Sequence, residues 1–136
     1  MRSVLAPASV PRNRTRADAF DELVLDAVEE LEAHWAAELA GVEFAVEDVP
    51  PAGNGAGFAA DFDPDVVLDR GVALGRLLRD GVPALPAPTV VVYRRPVEAR
   101  AARGEERADL VFMVVAELVS ELLGKDLDEI DPPGSR

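Results

Sequence analysis

The sequence predicts an α+β domain: a small sheet of three to four strands, packed by a long N-terminal helix and a long C-terminal helix. Three observations lead there. Apolar residues recur at spacings of three and four near both ends of the chain, the signature of amphipathic helices. Between them lies Thr89-Val90-Val91-Val92-Tyr93, a β-rich and almost wholly apolar run suited to a central strand. The order of elements, helix then strands then helix, gives a sheet with helices packed on it.

The first helix is expected to begin at Thr15, which with Asp18 forms an N-terminal cap and acidic first turn. Phe20, Val24, Ala27, Val28, Leu31, Trp35 and Leu39 then form one stripe, and Gly41 is expected to end the helix. Val42, Phe44 and Val46 alternate with Glu43, Ala45 and Glu47 as in a half-buried strand, closed by Pro50 and Pro51. Residues 50–65 read as a long surface loop, with Phe58 and Phe62 available to pin it. Val72–Leu78 fits either a strand or a short helix, and the strand is favoured. Residues 81–88, with three prolines, form another loop. After the central strand, Pro96 opens one or two helical turns. The last long helix runs from about Glu105 to Leu123, with Val111, Val114, Val115, Leu118, Val119 and Leu122 on its core face and Gly124 as its C-terminal cap. A short turn from Asp126 to Asp131 stops at Pro132-Pro133. The folded domain is expected over residues 15–131, between a basic flexible tail at 1–14 and a short tail at 132–136.

Bulk properties narrow the function. A chain of 136 residues suits one domain with its own core. It contains no cysteine, which excludes disulfides, thiolate metal sites and thiol nucleophiles. No apolar run reaches the roughly 18 residues of a membrane span, and prolines and arginine interrupt the N-terminus where a signal peptide needs an unbroken apolar stretch. A soluble cytoplasmic protein without a membrane partner is expected. The net charge is −12, and beyond residue 16 it is 10 basic against 26 acidic residues. That body repels phosphate backbones, and seven aromatic residues offer few platforms for bases, so nucleic acid is not an expected partner.

One stretch carries chemistry by its pattern: Ala116-Glu117-Leu118-Val119-Ser120-Glu121-Leu122-Leu123-Gly124-Lys125-Asp126. It resembles the H-E-x-x-H-x-x-G-x-x-D motif of minimal zincin-like metallopeptidases. In that family two histidines one helical turn apart hold zinc, the intervening glutamate serves as general base, and the aspartate completes the ligand set. Glu117 and Asp126 fall on matching positions here. Ala116 and Ser120 stand where the histidines belong, and the glycine is displaced by one, with Leu123 at the family position. The resemblance extends over roughly Arg14 to Asp131, through the first helix, Val42–Pro51 and Thr89–Glu98, and is closest to a subgroup with an altered active site.

The resemblance implies a zincin-like fold, with zinc as the cofactor of intact relatives. The substitutions imply that this chain binds no zinc by that motif. Alanine has no lone pair, and a serine hydroxyl is a poor zinc ligand beside imidazole. Without the metal, bound water keeps its ordinary acidity and Glu117 has nothing activated to serve. No catalytic residue, cofactor or metal is therefore expected, and the favoured function is a non-catalytic domain that binds a peptide or protein partner. The competing reading is a hydrolase with an unconventional metal site using Glu117 and Asp126. A third is that the acidic body acts as a solubilising surface or as a nucleic-acid mimic toward a basic partner.

The remaining candidates carry two readings each. His34, the single histidine, is either a boundary residue packing its ring beside Trp35 or a stray ligand. Met113, Ala116, Glu117 and Ser120 project away from the core valines, so they form either a water-facing surface or the floor of a vestigial cleft. Glu117, Glu121 and Asp126 together would suit a hard cation if they met. Arg94 and Arg95 either balance the acidic body through surface ion pairs or bind an anion.

Overall fold

A computed structural model describes residues 15–51, 63–79 and 87–134. Thr15 opens helix α1 (Arg16–Leu39) through a complete capping box: its hydroxyl accepts from the Asp18 amide at 3.0 Å, and the Asp18 carboxylate accepts from the Thr15 amide at 3.3 Å. Phe20, Val24, Ala27, Val28, Leu31 and Leu39 are its buried face, as their spacing predicts. Trp35 departs from helical geometry (φ −125°, ψ 24°), so α1 bends in its last turns. The helix ends through Ala40 in right-handed geometry rather than through a left-handed glycine at Gly41.

Four strands follow: β1 (Glu43–Glu47), β2 (Val66–Asp69), β3 (Val72–Leu78) and β4 (Thr89–Tyr93). The sheet order is β1-β4-β3-β2, with β1 parallel to β4 and the other pairs antiparallel. Val72–Leu78 is thus a strand. Strand β2 is an element the sequence reading did not identify. It joins β3 through Arg70 (φ 52°) and Gly71 (φ 78°), two consecutive left-handed residues that make a tight hairpin turn matching the twist of its strands.

Register between β2 and β3 slips between Val67 and Leu68, which leaves Leu74 of β3 without a partner. Such a bulge resets the alternation of side chains. Leu74 and Leu77 consequently both join the main core, although they stand three positions apart, while Ala73 turns to the opposite face. Strand β4 is buried on both faces: Val90 and Val92 belong to the main core, Val91 and Tyr93 to a smaller cluster with Val66 and Ala73. Ala45 of β1 is buried as well, where simple alternation expects exposure.

Helix α2 (Arg94–Arg100) carries Pro96 in its first turn, where a missing amide costs nothing. Helix α3 (Gly104–Leu123) ends at Gly124 in left-handed geometry (φ 67°), as expected, and α4 (Leu127–Ile130) is a single turn. The helices share one face of the sheet with Phe44, Val46, Leu74, Leu77, Val90 and Val92 as floor. No helix among the described residues is long and apolar enough to cross a membrane. The expected tail at 1–14, most of the two loops, Phe58, Phe62 and the last two residues lie outside the described residues.

Helix α3 sits on β3 at Gly75. A Cβ there would lie 2.7 Å from Val114 Cγ1, 2.8 Å from the Val91 carbonyl oxygen and 3.0 Å from Leu118 Cδ1. The obstruction includes backbone, which cannot rotate away. Gly75→Ala is therefore expected to destabilise the fold by about 1–3 kcal/mol, read as a lower urea midpoint; an unchanged midpoint would show that α3 is not seated this closely.

Candidate functional site

The altered motif occupies the last two turns of α3 and the start of α4, and Ala116, Ser120 and Asp126 each have a structural task. Ala116 is 1% exposed and belongs to the main core. This corrects the expectation that it projects away from the core valines. α3 is covered by the sheet on one side and by α1 and α4 on others, so its buried arc takes in Val111, Phe112, Val114, Val115, Ala116, Leu118 and Val119. Met113 is exposed, as its projection predicts.

Ser120, at the second histidine position, closes the end of the helix. Its hydroxyl donates to the Lys125 carbonyl at 2.5 Å, and its own carbonyl accepts from the amides of Gly124 and Lys125. The displaced glycine explains the arrangement. α3 continues through Leu123, and the chain reverses at Gly124, the first residue able to adopt φ 67° without a Cβ penalty.

Asp126, at the third ligand position, is the N-cap of α4. It forms a second capping box, with its carboxylate accepting from the Glu129 amide and Glu129 Oε1 accepting from the Asp126 amide at 3.2 Å. Lys125, between these two residues, places its ammonium 5.5 Å from the centroid of Trp35, a cation–π contact. The Trp35 indole donates to the Ile130 carbonyl at 3.2 Å. The segment after α3 is therefore fastened to the bend of α1.

Glu117 is different. It is half-buried and makes no hydrogen bond or ion pair with any described residue. Burial raises its pKa, and among the described residues no cation or donor stabilises the carboxylate. Glu121, one turn later, approaches Arg79 at 3.9 Å, while Arg79 grips Asp65 with two hydrogen bonds of 2.9 and 2.8 Å.

The donor set does not fit zinc. Ala116 has no donor atom, the Ser120 proton is committed to a carbonyl, and Asp126 holds a helix start. Among the described residues no three histidine, aspartate or glutamate side chains converge as a metal site, so Glu117, Glu121 and Asp126 do not assemble one and His34 does not join them. His34 is exposed rather than packed at a boundary, and lines a surface hollow with Glu30, Phe112, Ile130 and Asp131. Arg94 bridges Asp48 and Glu98 at 3.0 and 3.1 Å, and the Asp48 pairing is the main cause of its raised pKa.

Two stability outcomes follow from this geometry. The raised pKa of Glu117 means that the folded state binds its proton more tightly than the unfolded chain. Stability from this group is thus complete below the unfolded pKa and is lost as pH rises through the folded value. Glu117→Gln is expected to raise the melting temperature at pH 7 and to lose that advantage in acid, when Glu117 itself is protonated. A Gln variant less stable at pH 7 would reveal a partner for the carboxylate. Asp126→Ala is expected to cost about 0.5–2 kcal/mol through the lost cap, measured by urea unfolding; no change would contradict the capping role.

The sequence matches the family model described as zincin-like metallopeptidase over residues 39–134, well over half of the chain and including every strand, α3 and the altered motif. No curated protein matches it. The mixed four-stranded sheet with its helices agrees with that fold, and the chain belongs to the zincin-like metallopeptidase family.

Proposed function

We propose that this domain keeps the zincin-like scaffold without its peptidase chemistry and binds an extended peptide or protein segment. The observation that carries the reading is the reassignment of the motif: core packing at Ala116, helix termination at Ser120 and helix initiation at Asp126. These tasks occupy the positions that a metal centre requires, and no imidazole stands in for them. Without a Lewis acid, Glu117 has no metal-activated water to deprotonate.

Peptide binding is supported by the layout around α3. β2 is the terminal strand of the sheet, and α3 packs across β2, β3 and β4. Among the described residues no strand pairs with the outer edge of β2, and such an edge offers main-chain donors and acceptors for strand addition, with side chains beside it to supply selectivity. The lone carboxylate of Glu117 would favour a segment that brings a donor or a cation to it. A cytoplasmic setting and the absence of a nucleic-acid partner belong to the same reading, the latter resting on the charge of −12.

Metal content and cleavage test the non-catalytic part. Tag-free protein is expected to carry far less than stoichiometric zinc and to show no chelator-sensitive cleavage of unstructured peptides. Stoichiometric zinc that disappears in Glu117→Ala, together with such cleavage, would establish the competing hydrolase with an unconventional site on Glu117 and Asp126. For the binding part, a partner recovered from native lysate and identified is expected to be lost with Glu117→Lys in a folded variant; undiminished capture would remove this region from the interface.

A further inference from the structure

Arg94 and Arg95 take no part in the altered motif, and they behave differently from one another. The Arg94 guanidinium is only 11% exposed and is committed to Asp48 and Glu98. Arg95 is exposed; its backbone amide donates to the Asp48 carbonyl at 3.0 Å, but its guanidinium has no hydrogen bond or ion pair with any described residue. The same holds for Arg16, the exposed first residue of α1. These two residues, distant in sequence, line one concavity with Thr15, Ala17, Arg94 and Glu98.

In a chain with 26 acidic and 14 basic residues, most guanidiniums should find a carboxylate. Arg76, Arg79, Arg94 and Arg100 do. Among the described residues Arg16 and Arg95 pair with none, and both line the same concavity. Among the described residues Glu98 is the one carboxylate in the lining, and Arg94 already holds it together with Asp48. Arg94 is in this way a fixed wall, and Arg16 and Arg95 are the groups free to engage a ligand.

Acidic groups stand close by, Asp18 on the Thr15 amide and Asp48 on Arg94, and neither pairs with Arg16 or Arg95. At about 0.15 M ionic strength the screening length is about 8 Å, so nearby charges dominate. A guanidinium presents donors in a planar fork that matches the oxygens of phosphate. Two such forks balance a phosphate, which carries about −1.5 to −2 charge near pH 7. The backbone amides of Arg16 and Ala17 lack intrahelical acceptors, as the first amides of any helix do, and add donors to what the guanidiniums already define.

We propose that this concavity binds a phosphate group through Arg16 and Arg95, as a site separate from the altered motif. No lining residue belongs to α3, so the site stands whether or not the peptide-binding reading holds. The phosphate is either the free anion or a monoester on a small molecule, and the two sources are distinguishable.

The test uses isotope-labelled, tag-free full chain in about 0.15 M sodium chloride, titrated with inorganic phosphate and separately with phosphoserine, with added chloride at matched ionic strength as control. Amide resonances of Arg16, Ala17 and Arg95 are expected to move and saturate with phosphate but not with chloride. Arg16→Gln and Arg95→Gln are each expected to weaken binding roughly tenfold or more, the loss of charge-assisted hydrogen bonds, with melting temperature unchanged. Tighter binding of phosphoserine assigns the monoester and equal binding the free anion. Shifts that chloride reproduces, that never saturate, or that persist undiminished in the folded double variant overturn the proposal.

Discussion

The close approach of α3 to the sheet at Gly75 governs the rest of the structure. With no side chain at that point, Val114 and Leu118 descend to the strand, and the helix lies across β3 at a separation no other residue would permit. The bulge at Leu74 works with it, turning Leu74 to the same side as Leu77, so that the helix meets a continuous apolar floor. α1 packs beside α3, and both helices share the main core with Phe44, Val46, Val90 and Val92. The orientation of Glu117, and the place where the chain must reverse, both follow from where α3 is seated.

The end of α3 illustrates how ligand positions can be absorbed into architecture. A histidine at Ser120 would have no hydroxyl to offer the Lys125 carbonyl, and one at Ala116 would have to enter a core position that is 1% exposed. The shift of glycine from 123 to 124 lengthens the helix and brings Asp126 to the start of α4 as its cap. These substitutions therefore belong together. Glu117 of the motif is a carboxylate held partly out of water, with no cation or donor beside it among the described residues.

The two long helices, the central strand and the α+β class were legible because each has a strong period and clear ends: Thr15 with Asp18 at one end, Gly124 at the other. β2 was missed because four residues carry little periodic signal. The Val-Val-Leu-Asp-Arg-Gly-Val run, two β-prone segments flanking a pair that ends in glycine, was nonetheless a hairpin signature. The burial of Ala45 and Ala116 was hidden because small residues are ambiguous between core and surface, and the number of layers covering an element is a tertiary property. The bulge at Leu74 was likewise invisible, since a register slip exists only between two strands. At the altered motif, residue identities exposed the missing imidazoles, but the capping tasks of Ser120 and Asp126 depend on backbone geometry that spacing does not encode.

Trp35 is the only tryptophan in the chain, and it stands where α1 bends, with the Ile130 carbonyl on its indole nitrogen and the Lys125 ammonium near its ring. The molecule consequently carries a built-in optical probe at one joint. Its emission reports whether the C-terminal turn is docked, so loosening of that turn is visible by fluorescence even while the sheet and its buried valines remain intact.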